Sequence, residues 1–581
     1  MNLARRQWRR TSCWTILWFV SACLGQIITL QDKATLLGRR GSNIDSWLGI
    51  RYADWDRFGA SRPTKQHAKL RLPNGTWDAT TLGPRCPQPG SDASAISEDC
   101  LVLNIYRPSL APLTSAAAFT SEADDNEGRK LPVILFFHGG GFRIGSANDF
   151  DPTVFLESAQ KSNRSAAVFV AANYRLGLLG FLASSSLQAS RDANEDNVIL
   201  NPAMQDQRVV IQWVKDNIKA FGGDSDRITL WGQSAGAFGV GAQLLAHADD
   251  AHPPFHAVIL QSGGPAGVAL GPVSAKDGQF QRILSSTNCA NVTCLRALPL
   301  ATILAAQYAE ESKPKNYDFL GGAPWTACID GGPGKGGFYE QDPIFLVEEG
   351  KFASVPILIG DTLDEGTLFT SQSRFGKSSD IEDWIGNSYG LGRKNSDTVM
   401  KAYPNDPTQG SPYGSTQSFS GQYKRAASIW GDIRFQSTRR LLLAKASAKA
   451  WTYQFSQAQS PGTKASLGVP HSSDLYTVLE IAPTALGSLM ANQFVAFAAN
   501  GTPEAPGLPP WPAFDKDIRT MLQYIDDSGT LINDTYRDAP METLIQVRLA
   551  VQTDQAAPQS STMSLFWASV TTLFALGLGS L

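Results

Sequence analysis

The stretch Arg227-Ile-Thr-Leu-Trp-Gly-Gln-Ser-Ala-Gly-Ala-Phe238 decides the fold of this chain. Its first residues are rich in apolar and β-branched side chains and predict a short buried strand, whereas the run from Ala235 to about Ala246 predicts a helix. Gly232-Gln-Ser-Ala-Gly236 lies at the junction. A tight turn there holds a serine oxygen clear of the backbone, and its small flanking residues let strand and helix approach closely. Ser234 is therefore the candidate nucleophile.

The rest of the chain alternates between strand and helix patterns. A helix is predicted from about Ala203 to Ala220, because its apolar residues share one face and Gly222 follows it. Strands that alternate with helices indicate a large, mostly parallel twisted sheet with helices on both faces. The other predicted strands are Val133–Phe137, Ala167–Val170, Ala257–Leu260, Val355–Ile359 and Trp451–Phe455.

A serine hydroxyl reacts well only when a base accepts its proton, and the base needs an orienting carboxylate. His471 lies in the loop Gly468-Val-Pro-His-Ser-Ser-Asp474, shortly after a predicted strand. Glu365 also follows a predicted strand, although acidic residues are common in such turns. The order Ser234, Glu365, His471 is the one found in α/β-hydrolases. We therefore predict that these three residues form a catalytic triad.

The run Phe137-His-Gly-Gly-Gly-Phe142 is the candidate site for negative charge. Attack on an ester produces an oxyanion, which is stabilised best by backbone N–H groups that already point at it. We predict an oxyanion hole from the backbone N–H groups of Gly140, Gly141 and Ala235. A flexible glycine loop is the alternative, which the preceding hydrophobic strand and Phe142 make less attractive. We expect no cofactor and no metal ion.

These segments together resemble a type-B carboxylesterase, of the carboxylesterase/cholinesterase/lipase family of α/β-hydrolases. The resemblance implies the α/β-hydrolase fold and one catalytic domain over residues 26–553. It assigns the triad to Ser234, Glu365 and His471. It also implies a secreted or cell-surface serine hydrolase that cleaves carboxylic esters through an acyl-enzyme intermediate. Further matching segments are Gly49–Ala53, Ser97–Asn104, Asn173–Phe181, Asp206-Gln207, Phe221–Asp224, Gln261–Gly263 and Trp511-Pro512.

Two departures from the family pattern narrow the substrate. The segment Pro87–Asp99, between Cys86 and Cys100, is short and has no aromatic residue, which argues against a choline ester and a large lid. Gln233 stands before the serine, where relatives often carry glutamate. The site therefore has one carboxylate fewer, which weakens its attraction for a cationic substrate. From these two departures we predict a general carboxylic ester hydrolase whose active-site gorge is not covered by a lid. A triacylglycerol lipase is the nearer alternative, and a non-catalytic adhesion or scaffold protein is the alternative of another class.

Both ends of the chain carry sorting patterns. Residues 1–25 combine four arginines with a short apolar core and predict a cleaved signal peptide. Residues 554–581 combine a polar, small-residue stretch with an uncharged apolar tail, and predict a GPI-attachment signal. A tail-anchored span or a docked helix is the alternative for that tail. The expected location is the secretory pathway or the outside of the cell, with tethering to the cell surface through the tail.

Other features fit an exported protein. Cys86 with Cys100, and Cys289 with Cys294, are close in sequence and are expected disulfides, the pairs that the family resemblance also implies. Cys328 is left over and is interpreted as an inert buried thiol. The net charge of −3 without a basic stripe argues against nucleic-acid binding, so the expected partner is a small-molecule or lipid ester. Glycosylation sequons begin at Asn74, Asn163, Asn291, Asn500 and Asn533.

Overall fold

The computed structural model describes most of the chain from residue 26 to residue 556. The described ranges are 26–109, 130–163, 166–312, 324–370, 375–388, 391–406, 421–458, 467–479, 483–504 and 507–556. The predicted signal peptide and all but three residues of the predicted C-terminal attachment signal lie outside these residues.

A ten-stranded sheet runs through the described residues, in the order β16-β15-β14-β13-β12-β11-β9-β10-β8-β3. The seven strands from β15 to β10 are parallel, and the outer strands β16, β8 and β3 pair antiparallel. The strands are β1 Gln26–Thr29, β2 Thr35–Gly38, β3 Ile44–Arg51, β4 Ala53–Asp54, β5 Arg62–Pro63, β6 Leu70–Arg71, β7 Trp77–Asp78, β8 Val102–Pro108, β9 Leu131–Phe137, β10 Val168–Ala172, β11 Gly223–Gln233, β12 Ala257–Gln261, β13 Ile357–Thr362, β14 Ala450–Phe455, β15 Thr520–Ile525 and β16 Ser528–Asn533.

Helices cover both faces of this sheet, because side chains along the central strands alternate between two hydrophobic cores. On β9, Val133 and Leu135 enter one core while Ile134 and Phe136 enter the other. The helices are α1 Thr153–Asn163, α2 Gly177–Phe181, α3 Ser185–Asp192, α4 Pro202–Asn217, α5 Ala235–Ala246, α6 Asp277–Ser286, α7 Val292–Ala297, α8 Leu300–Glu311, α9 Pro343–Glu348, α10 Ser378–Ser388, α11 Gly392–Ala402, α12 Gly421–Gly431, α13 Ser437–Lys445, α14 Ser473–Val478, α15 Ala485–Asn500 and α16 Asp538–Ala556. The predicted fold class is confirmed.

The boundaries differ from the sequence patterns for identifiable reasons. Strand β13 begins at Ile357, two residues after the predicted start, and Pro356 before it has no N–H to donate to a strand ladder. Its carbonyl still accepts a hydrogen bond from Val258 of β12 at 3.0 Å. Helix α4 ends at Asn217, and a 3₁₀ turn continues it to Phe221 before Gly222 adopts φ +80°. The predicted end at Ala220 falls within that turn.

The last described helix, α16, continues to Ala556, three residues into the stretch assigned to the polar spacer. Its first residue, Asp538, pairs at 2.8 Å with Arg519, the residue that precedes β15. Within the described ranges no helix has the length and apolar character needed to cross a membrane.

Candidate active site

Ser234 lies at the turn between β11 and α5, with φ +54° and ψ −123°. A non-glycine residue with this backbone conformation carries about 1–3 kcal/mol of strain, which contacts with the surrounding structure must offset. The Ser234 N–H donates to the carbonyl of Gln261 on β12 at 2.9 Å, and the Phe238 N–H donates to the Ser234 carbonyl at 3.0 Å. A Cβ on Gly236 would lie 2.0 Å from the Phe137 carbonyl oxygen, so only glycine permits this close approach.

Glu365 and His471 come together at the carboxyl ends of the parallel strands. The Nδ1 of His471 lies 2.5 Å from Oε2 of Glu365, and both side chains are buried. The other carboxylate oxygen, Oε1, accepts from the Thr362 N–H at 2.7 Å and from the Ser262 hydroxyl at 2.6 Å. With its carboxylate fixed from both sides, Glu365 holds Nδ1–H of the imidazole and leaves Nε2 as the basic atom.

The Nε2 of His471 faces Gln233, the residue before the candidate nucleophile Ser234. The Gln233 Nε2 amide lies 3.3 Å from His471 Nε2 and donates to the Ser472 hydroxyl at 2.8 Å. Among the hydrogen bonds of the described residues, none joins the Ser234 hydroxyl to His471. The two side chains nevertheless line the same cavity. Catalytic hydrogen bonds in ligand-free sites are often long and shorten only when substrate binds.

The loop that carries His471 is held by side chains from distant segments. The Asp364 carboxylate accepts from the Val469 N–H at 2.8 Å, and the Asp364 N–H donates to the Val469 carbonyl at 3.0 Å. On the other side of the loop, Asp474 accepts from the Tyr453 hydroxyl at 2.6 Å and from the Gln261 amide at 3.0 Å. Burial raises the pKa of Asp474 to about 6. These contacts attach the loop to strands β12 and β14 and to the segment that follows β13.

The glycine run after β9 lies directly against the serine turn. A Cβ on Gly139 would lie 3.1 Å from Ser234 Cβ, and Gly140 and Gly141 have φ of +100° and +63°. None of the loop and turn hydrogen bonds in the described chain uses the N–H of Gly140 or Gly141 as donor. Two unengaged backbone donors beside the serine can therefore stabilise an oxyanion, together with the N–H of Ala235 at the start of α5.

His138 anchors this glycine run from beneath. Its ring stacks on Tyr174 at 4.6 Å between centroids, and its Nδ1 lies 2.9 Å from the Gly139 carbonyl oxygen. The Tyr174 hydroxyl donates to the His138 carbonyl at 2.6 Å. Burial lowers the pKa of His138 to about 4, so the ring is neutral and Nδ1–H donates to Gly139. His138 thus orients the glycine run.

The serine, histidine and glycine run open into a cavity of about 950 Å³. Part of its wall is aromatic: Phe435 stacks on the His471 ring at 4.9 Å, and Phe369 meets that ring edge-on at 5.0 Å. Its mouth carries the ion pairs Arg85–Asp149 and Arg143–Glu311 and three exposed apolar side chains. Those three are Ile144, Leu368 and Tyr476, which are 42%, 52% and 67% exposed. An apolar ester with a polar reacting centre fits this lining.

The remaining candidate residues lie away from this cavity. Cys86–Cys100 and Cys289–Cys294 are disulfide-bonded, and Cys328 is a buried free thiol whose pKa burial raises to about 12. Among the described residues, no group of three or more histidine, cysteine or acidic side chains could hold a metal ion.

The Asn163 side chain lies outside the described residues. The sequon asparagines that are exposed are Asn74, Asn291, Asn500 and Asn533.

Sequence reasoning did not identify the residues that hold Glu365 and His471 in place. Ser262 lies within the segment Gln261–Gly263 that matches the family pattern, and the position of Asp364 beside Glu365 was a usable signal. Gln233 was interpreted only through its missing charge, whereas the structure places its amide against His471. The contacts of Asp474 depend on pairing between distant strands, which no local pattern reports.

Comparison with known proteins places the chain in a family. The family model described as the carboxylesterase family matches residues 25–543. The chain is similar to Lipase 5 of Diutina rugosa, at 34% identity over 72% of this chain and 72% of that protein. It is also similar to Secreted lipase 1 of Botryotinia fuckeliana, at 29% identity over 88% of this chain and 91% of that protein. The residues that the family model matches include Ser234, Glu365 and His471.

Solved structures agree on the architecture. EstA of Aspergillus niger superposes with a TM-score of 0.74 at 24% identity, covering 90% of this chain and 99% of that one. At this level of identity the likeness concerns the fold alone, and it confirms the layered sheet described above.

Proposed function

The chain belongs to the carboxylesterase family and is a carboxylic ester hydrolase, and we propose that Ser234 is its nucleophile, in a two-step acyl transfer. One observation carries this proposal. Ser234, His471 and the glycine run line one cavity, and Glu365 is held against His471 behind its wall, although the four come from separate segments of the chain. A site built in this way supplies a nucleophile, a base, an orienting acid and backbone donors together.

The proposed mechanism assigns one role to each group. His471 Nε2 accepts the Ser234 proton as the serine oxygen attacks the ester carbonyl, and the N–H groups of Gly140, Gly141 and Ala235 stabilise the oxyanion. Protonated His471 then gives its proton to the departing alcohol. Water repeats the sequence and releases the acid. Glu365 keeps the imidazole in the required tautomer and stabilises its charged form throughout.

The Gln233 amide shares His471 Nε2 with the serine in this mechanism. At 3.3 Å its contact is longer than an ordinary hydrogen bond, so exchange for the Ser234 hydroxyl costs little. The same amide remains attached to Ser472 at 2.8 Å, which keeps the histidine loop in place during the exchange.

Labelling with a fluorophosphonate tests the nucleophile. The wild type is expected to react and to hydrolyse p-nitrophenyl acetate, whereas Ser234→Ala loses both reactions. Ser158→Ala is the matched control, because Ser158 and Ser234 are similarly buried, at 8% and 9% exposure. Unlabelled wild-type protein that is properly folded would favour the non-catalytic scaffold instead.

A triacylglycerol lipase is the second candidate, favoured by the exposed apolar side chains at the mouth of the cavity. Ile144, Leu368 and Tyr476 would face a lipid surface from which an ester enters. Replacing all three by serine should lower activity on emulsified long-chain triglyceride while activity on soluble p-nitrophenyl acetate persists. Ile518→Ser, at a residue 66% exposed away from this cavity, is the control. Equal losses on both substrates would argue against a lipid-facing role.

We place the protein outside the cell. Two disulfides and the name of its similar relative in Botryotinia fuckeliana, a secreted lipase, support this location. The proposed organisation is a signal peptide at 1–25, a catalytic domain at 26–553 and an attachment signal at 554–581. Release from cells by a phosphatidylinositol-specific phospholipase C would support the GPI anchor, and retention of the tail in the mature protein would exclude it.

Glycans are proposed on the sequon asparagines. Four of their side chains are exposed, so an oligosaccharide can be accommodated there without unfolding. Treatment with a peptide N-glycosidase should lower the apparent mass, and an unchanged mass would remove this proposal.

A further inference from the structure

The short segment closed by the Cys86–Cys100 disulfide contacts the backbone that follows the glycine run. Gln88, in this segment, is 2% exposed, and its side chain lies against Gly145. The Gln88 Nε2 donates to the Gly145 carbonyl at 2.9 Å and to the Cys86 carbonyl at 3.0 Å. The Gln88 Oε1 accepts from the Gly145 N–H at 2.9 Å. One buried amide therefore pairs with both backbone groups of Gly145 and connects them to the disulfide.

Gly145 ends a closed turn, residues 140–145, that carries two of the proposed oxyanion donors. The N–H groups of Arg143 and Ile144 both donate to the Gly140 carbonyl at 3.1 Å. A Cβ on Gly140 would lie 2.1 Å from the Ile144 carbonyl oxygen, and a Cβ on Gly145 would lie 2.4 Å from His138 Nδ1. Backbone packed this closely cannot absorb a shift locally, so a displacement of Gly145 also moves Gly140.

A second amide fixes the chain just beyond this turn. The Asn173 Oδ1 accepts from the Ala147 N–H at 2.8 Å, and the Asn173 Nδ2 donates to the carbonyls of Pro84 and Cys100 at 3.0 and 3.1 Å. Both amides thus join the disulfide segment to the backbone after the glycine run. Of the two, Gln88 is the one that holds the turn itself, because Asn173 bonds to residues 146 and 147.

The Gly145 backbone has a competing partner if the amide is removed. Gly145 lines the catalytic cavity, so its N–H and carbonyl would then bond to water in that cavity. Without the Gln88 amide, the turn would therefore be free to move toward the cavity.

We propose that Gln88 is a positioning residue for oxyanion stabilisation, and that the disulfide segment braces the backbone donors of Gly140 and Gly141 through it. This inference rests on the proposed function. Gln88 acts through the Gly145 backbone, so its loss leaves the Glu365–His471 pair in place. The donors then lie away from the position where negative charge develops, which lowers transition-state binding and spares ground-state binding.

The test compares two ketone inhibitors of the same chain length. The Ser234 oxygen adds to the carbonyl carbon of a trifluoromethyl ketone while His471 accepts the serine proton, so the adduct places an oxyanion at the backbone donors. The matching methyl ketone forms no stable adduct and reports ground-state binding.

Gln88→Met has a side chain of similar length without the amide. It should lower kcat/KM for p-nitrophenyl acetate about 10- to 100-fold. The inhibition constant of the trifluoromethyl ketone should rise by the same factor, whereas that of the methyl ketone should change by less than about twofold. Gln88→Asn keeps an amide on a shorter stem that cannot span Cys86 and Gly145, and it should show the same pattern if Gln88→Met does not fold.

Gln493→Met is the matched control. Gln493 is also fully buried, and its Oε1 accepts from the Tyr524 hydroxyl at 2.6 Å, but it does not line the catalytic cavity. This variant should lower Tm and leave kcat/KM and both inhibition constants unchanged.

Each outcome decides one question. Unchanged affinity of a folded Gln88 variant for the trifluoromethyl ketone, or an equal loss of affinity for both ketones, would overturn the positioning role alone. A comparable loss of kcat/KM in Gln493→Met would do the same, because general destabilisation would then explain the effect. Failure of the wild type to hydrolyse any ester, or to react with a fluorophosphonate, would instead overturn the proposed function.

Discussion

The serine turn and the histidine loop serve one reaction in the proposed mechanism, but they are held in opposite ways. Residues 231–238 are positioned by backbone contacts: hydrogen bonds to β12 and α5 and the close approach of Gly236 to the Phe137 carbonyl. Residues 467–475 are positioned largely by side chains from elsewhere, chiefly Asp364, Gln233 and Tyr453. The difference teaches that a nucleophile can be specified locally, while its base depends on the assembled tertiary structure. Substitutions in the serine turn should therefore affect folding most, whereas substitutions in the histidine loop should affect catalysis most.

The largest effect is expected at the serine turn. Gly236→Val places a branched side chain where a Cβ would already lie 2.0 Å from backbone oxygen, and the backbone cannot move aside without breaking the turn. We expect loss of soluble folded protein, or loss of all activity together with a greatly lowered Tm. Gly334→Ala, at a glycine with open space around it, should leave Tm and kcat/KM unchanged. A folded, active Gly236→Val protein would contradict the description of this turn.

Acidification should weaken the glycine run that lies against the serine turn. Burial lowers the pKa of His138 from 6.5 to about 4, so its neutral form stabilises the folded state fully above pH 6.5. That contribution, about 3 kcal/mol, is lost as the pH falls from 6.5 through 4. His138→Phe keeps an aromatic ring on Tyr174 but cannot titrate. The free energy of unfolding should therefore fall less steeply with acid in His138→Phe, and equal slopes would exclude His138 as the cause.

A selective loss of catalysis is expected at the histidine loop. Asp364→Ala removes the carboxylate that holds the Val469 N–H, and Gly468 beside it gains freedom. We expect kcat to fall about 10- to 100-fold because the base is misplaced by a fraction of an ångström, with a smaller change in Tm. Circular dichroism and thermal unfolding provide the control. A Tm loss as large as that of Gly236→Val, without selective loss of kcat, would erase the contrast between the two regions.

The smallest effect is expected at the contact between the two regions. Gln233→Glu replaces the amide 3.3 Å from His471 Nε2 with a carboxylate, which stabilises the imidazolium and keeps it from accepting the serine proton. The acidic limb of the pH profile of kcat/KM should therefore move to higher pH by about one unit. At a given pH on that limb, kcat/KM should fall roughly tenfold. Gln233→Met retains the neutral charge and should leave the limb in place. A limb that does not move in Gln233→Glu would show that this side chain does not face the base.

The same contrast explains how far the sequence predicts this molecule. The strand, turn and helix around Ser234 follow from short-range patterns, and the fold class from their repetition along the chain. The positions of Glu365 and His471 were predicted through chain order and family resemblance. Their contacts with Ser262, Asp364 and Gln233 were not, because these arise only when non-adjacent strand ends meet at one edge of the sheet. The start of β13 after Pro356 was also not predicted, because hydrophobic periodicity does not register that proline lacks a backbone N–H.

A double-mutant cycle between Ser234 and His471 tests most directly whether the two regions act as one catalytic unit. Ser234→Ala and His471→Ala should each lower kcat by about 10⁵- to 10⁶-fold on p-nitrophenyl acetate, and the double variant should lose no more than either single one. Such non-additivity is expected only if the hydroxyl and the imidazole act in the same step. Losses that multiply in the double variant, or a His471→Ala protein with nearly full activity, would contradict the account.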